Sequence, residues 1–362
     1  MSEHPLTVHI MTAALVPGDA IGNYVLTLRR LWQNWGAHVR LYADHIAPSL
    51  RPLAAPADQY RPTGHDLLWY HYSIATPNLG RARASSDFKL MDYHGISPPE
   101  LYRGRNAQME ALCREGLAQL PELRTAFDQF IVHTEYMRAD LLTHGFPAER
   151  LAVVPLCVDT ARYPAADDAE LAELLPHIEY LLFVGRLIPQ KDILAQLAIF
   201  AELQTLRPEL YFFLVGPTDL TPGYEAEMSR FIKQQGLTEK VIRPGKVTNP
   251  ALLGSLFRHA RFLLVTSEWE SFCVPLAEAA FMGTPSAIDD LPPLPEVAGP
   301  GALVIDKKQP ATAARLIHEA LLDEGGYAER RQQSQHWAMR YSDDALAANI
   351  RRLLPGWLGR DE

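Results

Sequence analysis

The chain has 362 residues, of which 48% are hydrophobic and 21% are charged, and these values exclude a disordered chain and suit two globular domains. Its 34 basic residues are outnumbered by 43 acidic ones, and the net charge of −9 argues against a nucleic-acid-binding protein. Three widely spaced cysteines, Cys113, Cys157 and Cys273, indicate neither a disulfide framework nor a structural zinc site. With no leader pattern at the N-terminus and no apolar run of about 18 residues, we expect a cytoplasmic protein without a membrane span.

The first half alternates short apolar runs with helical patterns. A strand is predicted over 8–13, and a helix over 22–35 follows it because its apolar residues recur at helical spacing. The further strands predicted in this half are 39–43, 67–72, 130–133 and 151–155. The arginines of segment 102–120 favour a solvated helix face over a contact with an anionic membrane or acceptor.

The second half repeats this rhythm more regularly. Its predicted strands are 180–184, 211–215, 241–243, 262–265, 285–287 and 303–305. Its predicted helices are 191–206, 223–236, 249–259, 275–282 and 309–322, with one or two more over 337–358. Such alternation predicts parallel sheets with helices on both faces, and therefore two Rossmann-like domains over 1–170 and 178–338. The break is expected within 161–178, which has no strand signal.

The strongest motif follows the strand predicted over 262–265. Residues 267–278 place Glu270 in a loop and Glu278 in the helix that begins near Pro275. Because ligands of open parallel sheets bind beyond the carboxyl ends of the strands, both carboxylates are candidates for hydrogen bonds from sugar and ribose hydroxyls. On spacing alone, an acidic loop followed by an ordinary helical glutamate is the more common arrangement.

A second motif ends the strand predicted over 180–184. Gly185, Arg186 and Lys191 follow this strand and lead into a helix. A helix N-terminus attracts anions, arginine offers a planar fork and lysine a point charge, so the group suits a diphosphate. The alternative, a solvated loop with two surface cations, is left open by the residues alone.

Two weaker motifs lie in the first half. Segment 17–23 carries Gly18 and Gly22 between a strand and a helix, where glycine lets the backbone approach a phosphate or sugar, although a plain turn is the simpler interpretation. His94 is a candidate to hydrogen-bond a substrate hydroxyl, although a lone histidine is more often structural. The sequence has no Walker loop, no Gly-x-Ser-x-Gly and no carboxylate and histidine cluster with metal-ligand spacing, so no metal site is predicted.

In this order the motifs resemble those of retaining GT-B glycosyltransferases, specifically glycosyltransferase family four. Segment 270–278 resembles the Glu-x7-Glu motif of that family, with Ser271 and Cys273 where glycine is usual. Gly185, Arg186 and Lys191 resemble its diphosphate clamp. Segments 154–159, 279–285 and 294–299 resemble further signatures, and the likeness runs from about residue 8 to about residue 341, most specifically in the second half.

The resemblance implies roles for these residues. Arg186 and Lys191 would bind the donor diphosphate and stabilise the leaving nucleotide without a metal, Glu270 would bind sugar hydroxyls, and Glu278 would hold the ribose. It further implies donor contacts for Gly185, for Lys246 near the base, for Ser271, Phe272, Cys273 and Val274 beside sugar and phosphate, for Gly18 and Gly22 in the first-domain loop, and for His94 from the first domain.

The resemblance also implies the architecture and the reaction. Two Rossmann-like domains would face each other across a cleft, the first binding the acceptor, and a C-terminal helix at about 340–362 would return to it. The expected activity is a retaining transfer of a hexose from a GDP- or UDP-sugar to a glycan, lipid-linked saccharide or small molecule, as in polysaccharide biosynthesis. It forms an α-glycosidic bond, needs no cofactor and allows a peripheral contact at the inner membrane face. Alternatives are another GT-B enzyme, such as a nucleotide-sugar epimerase or phosphorylase, and a non-catalytic nucleotide-sugar-binding protein.

Overall fold

The computed structural model describes residues 6–358 apart from 170–172, 219–220 and 222. It divides the chain into two units, the first formed by residues up to 100, 107–159 and 340 onward, and the second by 101–106 and 160–339. The division at 159/160 lies just before the stretch in which a break was predicted. Residues 170–172 of that stretch, and the N-terminal residues 1–5 on which the leader argument rests, lie outside the described residues.

The first unit is built on a seven-stranded sheet in which all strand pairs are parallel. Its strands are β1 Thr7–Leu15, β2 His38–Ile46, β3 Ala54–Pro56, β4 Leu67–Tyr72, β5 Phe88–Tyr93, β6 Gln129–Val132 and β7 Leu151–Val153. They lie in the order β3-β2-β1-β4-β5-β6-β7. All six residues of β4 are buried, as expected for a strand covered on both faces. Strands β3 and β5 were not predicted from the sequence.

Six helices belong to this unit within the described residues. They are α1 Ala20–Asn34, α2 Leu79–Ala84, α3 Ala107–Leu123, α4 Glu135–Thr143, α12 Asp343–Leu353 and α13 Pro355–Leu358. Helix α1 begins at the Asp19 side chain, which accepts from the Gly22 N–H at 3.2 Å and so caps it. Helix α3 buries Cys113 and Gly116, while Arg103 before it and Arg114 within it are exposed.

The second unit has a six-stranded parallel sheet. Its strands are β8 Tyr180–Val184, β9 Tyr211–Val215, β10 Val241–Gly245, β11 Phe262–Val265, β12 Ser286–Asp289 and β13 Leu303–Ile305, in the order β10-β9-β8-β11-β12-β13. This is the strand order of a dinucleotide-binding fold. Its helices are α5 Ile193–Leu206, α6 Tyr224–Gln234, α7 Pro250–His259, α8 Val274–Phe281, α9 Leu294–Ala298, α10 Pro310–Leu322 and α11 Glu324–Ala338. Leu181, Phe200, Phe212 and Phe262 lie in its core.

The segment after α11 returns to the first unit, as the GT-B resemblance implies. The Tyr341 carbonyl accepts from the Val158 N–H at 2.9 Å. At the start of α12, Asp343 receives an ion pair from Arg30 of α1 at 2.8 Å and a hydrogen bond from the Cys157 thiol at 2.8 Å. The prediction of two Rossmann-like units with a returning C-terminal helix is therefore confirmed.

Candidate active site

Two of the charged candidate residues, Lys191 and Glu270, lie together at the carboxyl edge of the second sheet. Lys191 follows β8, Glu270 follows β11, and the Lys191 Nζ lies 2.6 Å from Glu270 Oε1. Ser267 donates to the same oxygen at 2.7 Å. The Glu270 side chain is only 6% exposed and that of Lys191 is 20% exposed, so this ion pair is largely shielded from water.

The adjacent carboxylate keeps Lys191 in its charged form. Burial by itself lowers the pKa of Lys191, but the adjacent Glu270 carboxylate outweighs burial and raises that pKa. Burial, followed by the Glu270 carboxylate, raises the pKa of the nearby Cys273 thiol well above its ordinary value. The site therefore presents one ammonium and one carboxylate beside a neutral thiol.

A close approach of two backbones shapes the loop after β8. The Gly185 N–H donates to the Val215 carbonyl at 2.9 Å, and the Gly185 carbonyl lies against Gly216. A Cβ on Gly216, whose φ is +151°, would be 1.7 Å from that carbonyl oxygen, so only glycine fits. Arg186, directly after this contact, is exposed at the sheet edge, as is Lys246 after β10.

Helix α8 carries the second carboxylate. Cys273 precedes the helix with a left-handed φ of +77°, a conformation that suits the glycine usual in the resembling family. Glu278 Oε1 accepts from the Tyr163 hydroxyl at 2.6 Å and from Arg162 Nη2 at 2.7 Å. Burial and then Glu278 raise the pKa of Tyr163, so its hydroxyl stays a donor. Phe272 is buried, whereas Ser271 and Val274 are half-buried beside the loop.

Two residues that the sequence analysis did not single out brace the loop of Glu270. Buried Gln190 donates to the Trp269 carbonyl at 3.1 Å, and its own carbonyl accepts from the Glu268 N–H at 2.8 Å. Lys307, after β13, reaches the same loop with its ammonium and is 9% exposed. A lysine far along the chain gives no sequence signal for such a contact, because lysine is normally solvated.

The remaining candidates lie in the first unit. Gly18, with a φ of +74°, and Gly22 flank the start of α1, and a Cβ on Gly22 would meet the Val16 carbonyl at 2.7 Å. The glycine at position 22 is therefore required by packing of the turn, which is the simpler of the two sequence interpretations. Gly18 is exposed, and its left-handed φ of +74° suits a glycine in this turn.

His94 is one of three imidazoles in a buried row. His94 Nε2 lies 2.8 Å from His71 Nδ1, and His94 Nδ1 lies 3.2 Å from His133 Nε2. His133 Nδ1 lies 2.8 Å from the Val154 carbonyl. Both ring nitrogens of His94 are thus engaged, so a sugar hydroxyl would have to replace an imidazole to bind it.

Asp92 lies beneath this row and supplies its negative charge. Its carboxylate accepts from Trp69 Nε1 at 2.8 Å and lies 2.9 Å from His133 Nε2. Burial raises the pKa of Asp92, but His133 and His94 outweigh burial and lower it, so the group is ionised. Burial lowers the pKa of His71 to about 4 and lowers that of His94 well below its ordinary value.

The sequence indicated no metal cluster, yet His71, Asp92 and His94 place ligand atoms within 4.8 Å of one another. The 2.8 Å between the two imidazole nitrogens is a hydrogen-bond distance. Two nitrogens bound to tetrahedral zinc at about 2.05 Å would be roughly 3.4 Å apart. The three side chains would bind a metal ion only after that hydrogen bond opened.

The comparisons with known proteins address the second unit most directly. Residues 176–340 match the model of the family described as glycosyl transferases group 1. This stretch is a glycosyl transferases group 1 domain. The Lys191 and Glu270 pair lies within the group 1 domain, as do Arg186, Lys246 and Glu278. The narrower assignment to glycosyltransferase family four stays a prediction.

Curated relatives match part of the chain. The lipopolysaccharide 1,2-N-acetylglucosaminetransferase of Salmonella typhimurium is 27% identical over 190 residues, which are 50% of this chain and 49% of that protein. The O-antigen chain mannosyltransferase B of Escherichia coli is 24% identical over 245 residues, which are 64% of this chain and 61% of that protein. The chain thus spans about half to three-fifths of these relatives.

Solved structures match the fold over nearly the whole chain. The sucrose-phosphate synthase of Thermosynechococcus elongatus has a TM-score of 0.78 at 18% identity, covering 97% of this chain and 98% of that chain. HepE of Anabaena, in complex with UDP and glucose, has a TM-score of 0.77 at 16% identity, covering 97% and 100%. These likenesses concern the fold and confirm the predicted GT-B architecture. Among the described residues, no helix combines the length and the apolar character that crossing a membrane requires.

Proposed function

We propose that this protein is a retaining glycosyltransferase that moves a hexose from a UDP- or GDP-sugar to a hydroxyl acceptor and forms an α-glycosidic bond. The observation that carries the proposal is the shielded pair of Lys191 and Glu270 at the carboxyl edge of a group 1 domain. UDP and glucose are bound by the structural neighbour HepE, which supports a UDP-sugar donor.

Lys191 acts on the leaving diphosphate. Its raised pKa keeps it an ammonium, and a fixed cation at the developing phosphate charge lowers the barrier without reorganisation of water. Arg186, exposed on the same loop, adds a planar donor fork for the phosphate oxygens. This pairing performs the charge stabilisation for which other transferases use a metal ion, so we propose a reaction without a metal cofactor.

Glu270 binds the sugar. A carboxylate has about four acceptor positions, and the contacts with Lys191 and Ser267 both fall on Oε1, so the group keeps acceptor capacity for sugar hydroxyls. Glu278 accepts two hydrogen bonds on one oxygen in the same way and retains capacity for a ribose hydroxyl. The half-buried stretch from Ser271 to Val274 contributes backbone groups beside sugar and phosphate, and Lys246 lies beyond β10 for the base.

The names of the relatives support a proposal for the acceptor. The names of the Salmonella and Escherichia relatives refer to lipopolysaccharide and O-antigen, so we propose a glycan or lipid-linked saccharide acceptor in polysaccharide biosynthesis. The reaction would take place in the cytoplasm at the inner face of the membrane. The proposal also includes the donor contacts that the family resemblance implies for Gly18, Gly22 and His94.

The test begins with thermal unfolding in the presence of UDP, GDP, ADP and dTDP. A nucleotide at 100 times its dissociation constant adds about 2.7 kcal/mol, which raises the melting temperature by several degrees. The nucleotide that binds identifies the sugar donors for a transfer assay. Lys191→Ala and Glu270→Ala should each lower transfer at least about 100-fold, whereas the exposed Lys308→Ala should match wild type. Wild-type transfer by either site variant would refute the assignment, and nucleotide binding without transfer to any glycan would support a binding protein instead.

A further inference from the structure

We infer that Lys307 is a positioning residue that keeps Lys191 and Glu270 in contact, with Lys191 Nζ 2.6 Å from Glu270 Oε1. This inference rests on the proposed function of that pair in donor binding. The hydrogen bonds and ion pairs of Lys307 go to residues other than these two. It lies at the start of the turn after β13, and its ammonium group reaches the loops that follow two other strands of the same sheet.

The first set of contacts fixes the loop of Glu270. The Lys307 Nζ donates to the Thr266 carbonyl at 3.0 Å, to the Ser267 carbonyl at 3.4 Å and to Glu268 Oε1 at 2.8 Å. Ser267 is itself the donor to Glu270 Oε1. The backbone that presents both Glu270 and its serine partner is therefore tied to one ammonium group that is only 9% exposed.

The second set fixes the neighbour of Lys191. Asp192 directly follows Lys191 and has a left-handed φ of +47°, an unfavourable conformation for a residue with a Cβ. Asp192 Oδ2 lies 3.1 Å from the Lys307 Nζ, while Asp192 Oδ1 caps α5 by accepting from the Ala195 N–H at 3.3 Å. The Thr266 hydroxyl also donates to the Asp192 carbonyl at 3.0 Å. The strained turn beside Lys191 is thus held by Lys307 and by the loop that Lys307 holds.

We call the contacts of Lys307 with Asp192 and with the loop of residues 266–268 the brace. In it, one ammonium group lies between the carboxylates of Asp192 and Glu268. Burial lowers the pKa of Lys307, but Glu268 and Asp192 outweigh burial and raise it. A backbone N–H extends the brace to a further strand end, because the Lys307 N–H donates to Asp289 Oδ1 of β12 at 3.1 Å. The lysine ammonium is a compact charge with three N–H donors, which suits a position surrounded by several acceptors.

The brace is tested first without any nucleotide. Reductive methylation with formaldehyde and borohydride, quantified by peptide mass spectrometry, measures how accessible the Lys191 amine is. In Lys307→Met the Lys191 rate should rise roughly tenfold, the factor expected when charge-assisted hydrogen bonds that hold a pair closed are lost. Lys308→Met, which removes the exposed neighbouring lysine, should leave it unchanged. Lys89 of the first unit, whose Nζ donates to the Arg83 carbonyl at 3.2 Å, serves as the internal control for general loosening.

A double variant separates positioning from simple destabilisation. Asp192→Gly relieves the left-handed strain and removes one Lys307 partner, so Lys307→Met added to it should raise the Lys191 rate less than it does in wild type. A merely structural lysine would instead raise the Lys191 and Lys89 rates together with a lowered melting temperature. An unchanged Lys191 rate in folded Lys307→Met would overturn the inference.

Titration with UDP and GDP then connects the brace to the proposed function. Lys307→Met should weaken binding of the nucleotide that wild type binds and lower kcat/KM by about 10- to 100-fold, because small misplacement of donor-binding groups is costly. If wild type binds neither nucleotide while the methylation result holds, the brace stands and the proposed function fails. If wild type binds and Lys307→Met binds equally well, the positioning role fails.

Discussion

Replacement of Gly216 by alanine tests the claim that two backbones in contact shape the loop after β8. The new Cβ would lie 1.7 Å from the Gly185 carbonyl oxygen and 2.7 Å from its carbon, whereas ordinary contacts are 3.4–4 Å. The Gly185–Arg186 peptide must then move by roughly 1.5 Å or more. Backbone strain at φ +151° adds about 1–3 kcal/mol and the forced shift another 1–3 kcal/mol, so Gly216→Ala should lose about 2–6 kcal/mol of stability.

Gly236→Ala is the matched control for this substitution. Gly236 also has a positive φ, +69°, but a Cβ there would have no neighbour within 4 Å, so only about 1–2 kcal/mol of strain is expected. Urea unfolding followed by circular dichroism measures both losses, and UDP or GDP titration of the folded variants measures the donor site. Nucleotide binding should weaken in Gly216→Ala and persist in Gly236→Ala. Equal stability losses for the two variants would refute the argument from the close approach.

Three further predictions concern the first unit. Because burial lowers the pKa of His71 to about 4 from 6.5, the unfolded chain gains a proton first as the pH falls, and His71 by itself should contribute a loss of about 2–3 kcal/mol of stability between pH 6.5 and 4. In urea titrations, the stability of His71→Gln should fall less steeply with falling pH than that of wild type, whereas that of the exposed His38→Gln should fall as in wild type. An equal pH dependence of His71→Gln and wild type would contradict the role given to His71. Arg30→Ala removes two ion pairs of a side chain that is 42% exposed, so calorimetry should show a loss of at most about 1 kcal/mol, and a loss above 2 would be inconsistent with solvent screening. Burial raises the pKa of Cys113 to about 11, so iodoacetamide at pH 7 should label it only as fast as the protein opens, and immediate labelling would show that α3 does not cover it.

The repeating strands of the fold could be predicted because parallel strands buried on both faces are short apolar runs. The six strands predicted in the second half all appear, from Tyr180–Val184 to Leu303–Ile305. Strand Phe88–Tyr93 was missed because Lys89 and Asp92 interrupt its apolar pattern. Asp92 is tolerated in the sheet because its carboxylate accepts a hydrogen bond from Trp69 Nε1 and lies 2.9 Å from His133 Nε2, and these partners come from distant parts of the chain.

The candidate site shows the same division between local and distant signals. Lys191 and Glu270 could be proposed because each follows a strand of one parallel sheet, and strand ends meet at one edge. Lys307, Gln190 and Asp192 could not, since their part depends on burial, on a left-handed turn and on contacts between loops remote in sequence. The engagement of both His94 nitrogens likewise depends on strand neighbours that spacing does not reveal.

The path of the chain through its two units bears on how such proteins diversify. The chain leaves the first unit at 159 and re-enters it at 340. The group 1 domain is therefore inserted within the sequence of the first unit and does not simply follow it. Under the proposed function, recombination that exchanges this insertion would transfer a new donor specificity to an existing first unit. The short loop 101–106, which donates to Gln190 through Tyr102 and pairs with Glu227 through Arg105, belongs to the inserted unit but is encoded elsewhere. A successful graft must therefore bring matching residues at two separate places in the gene.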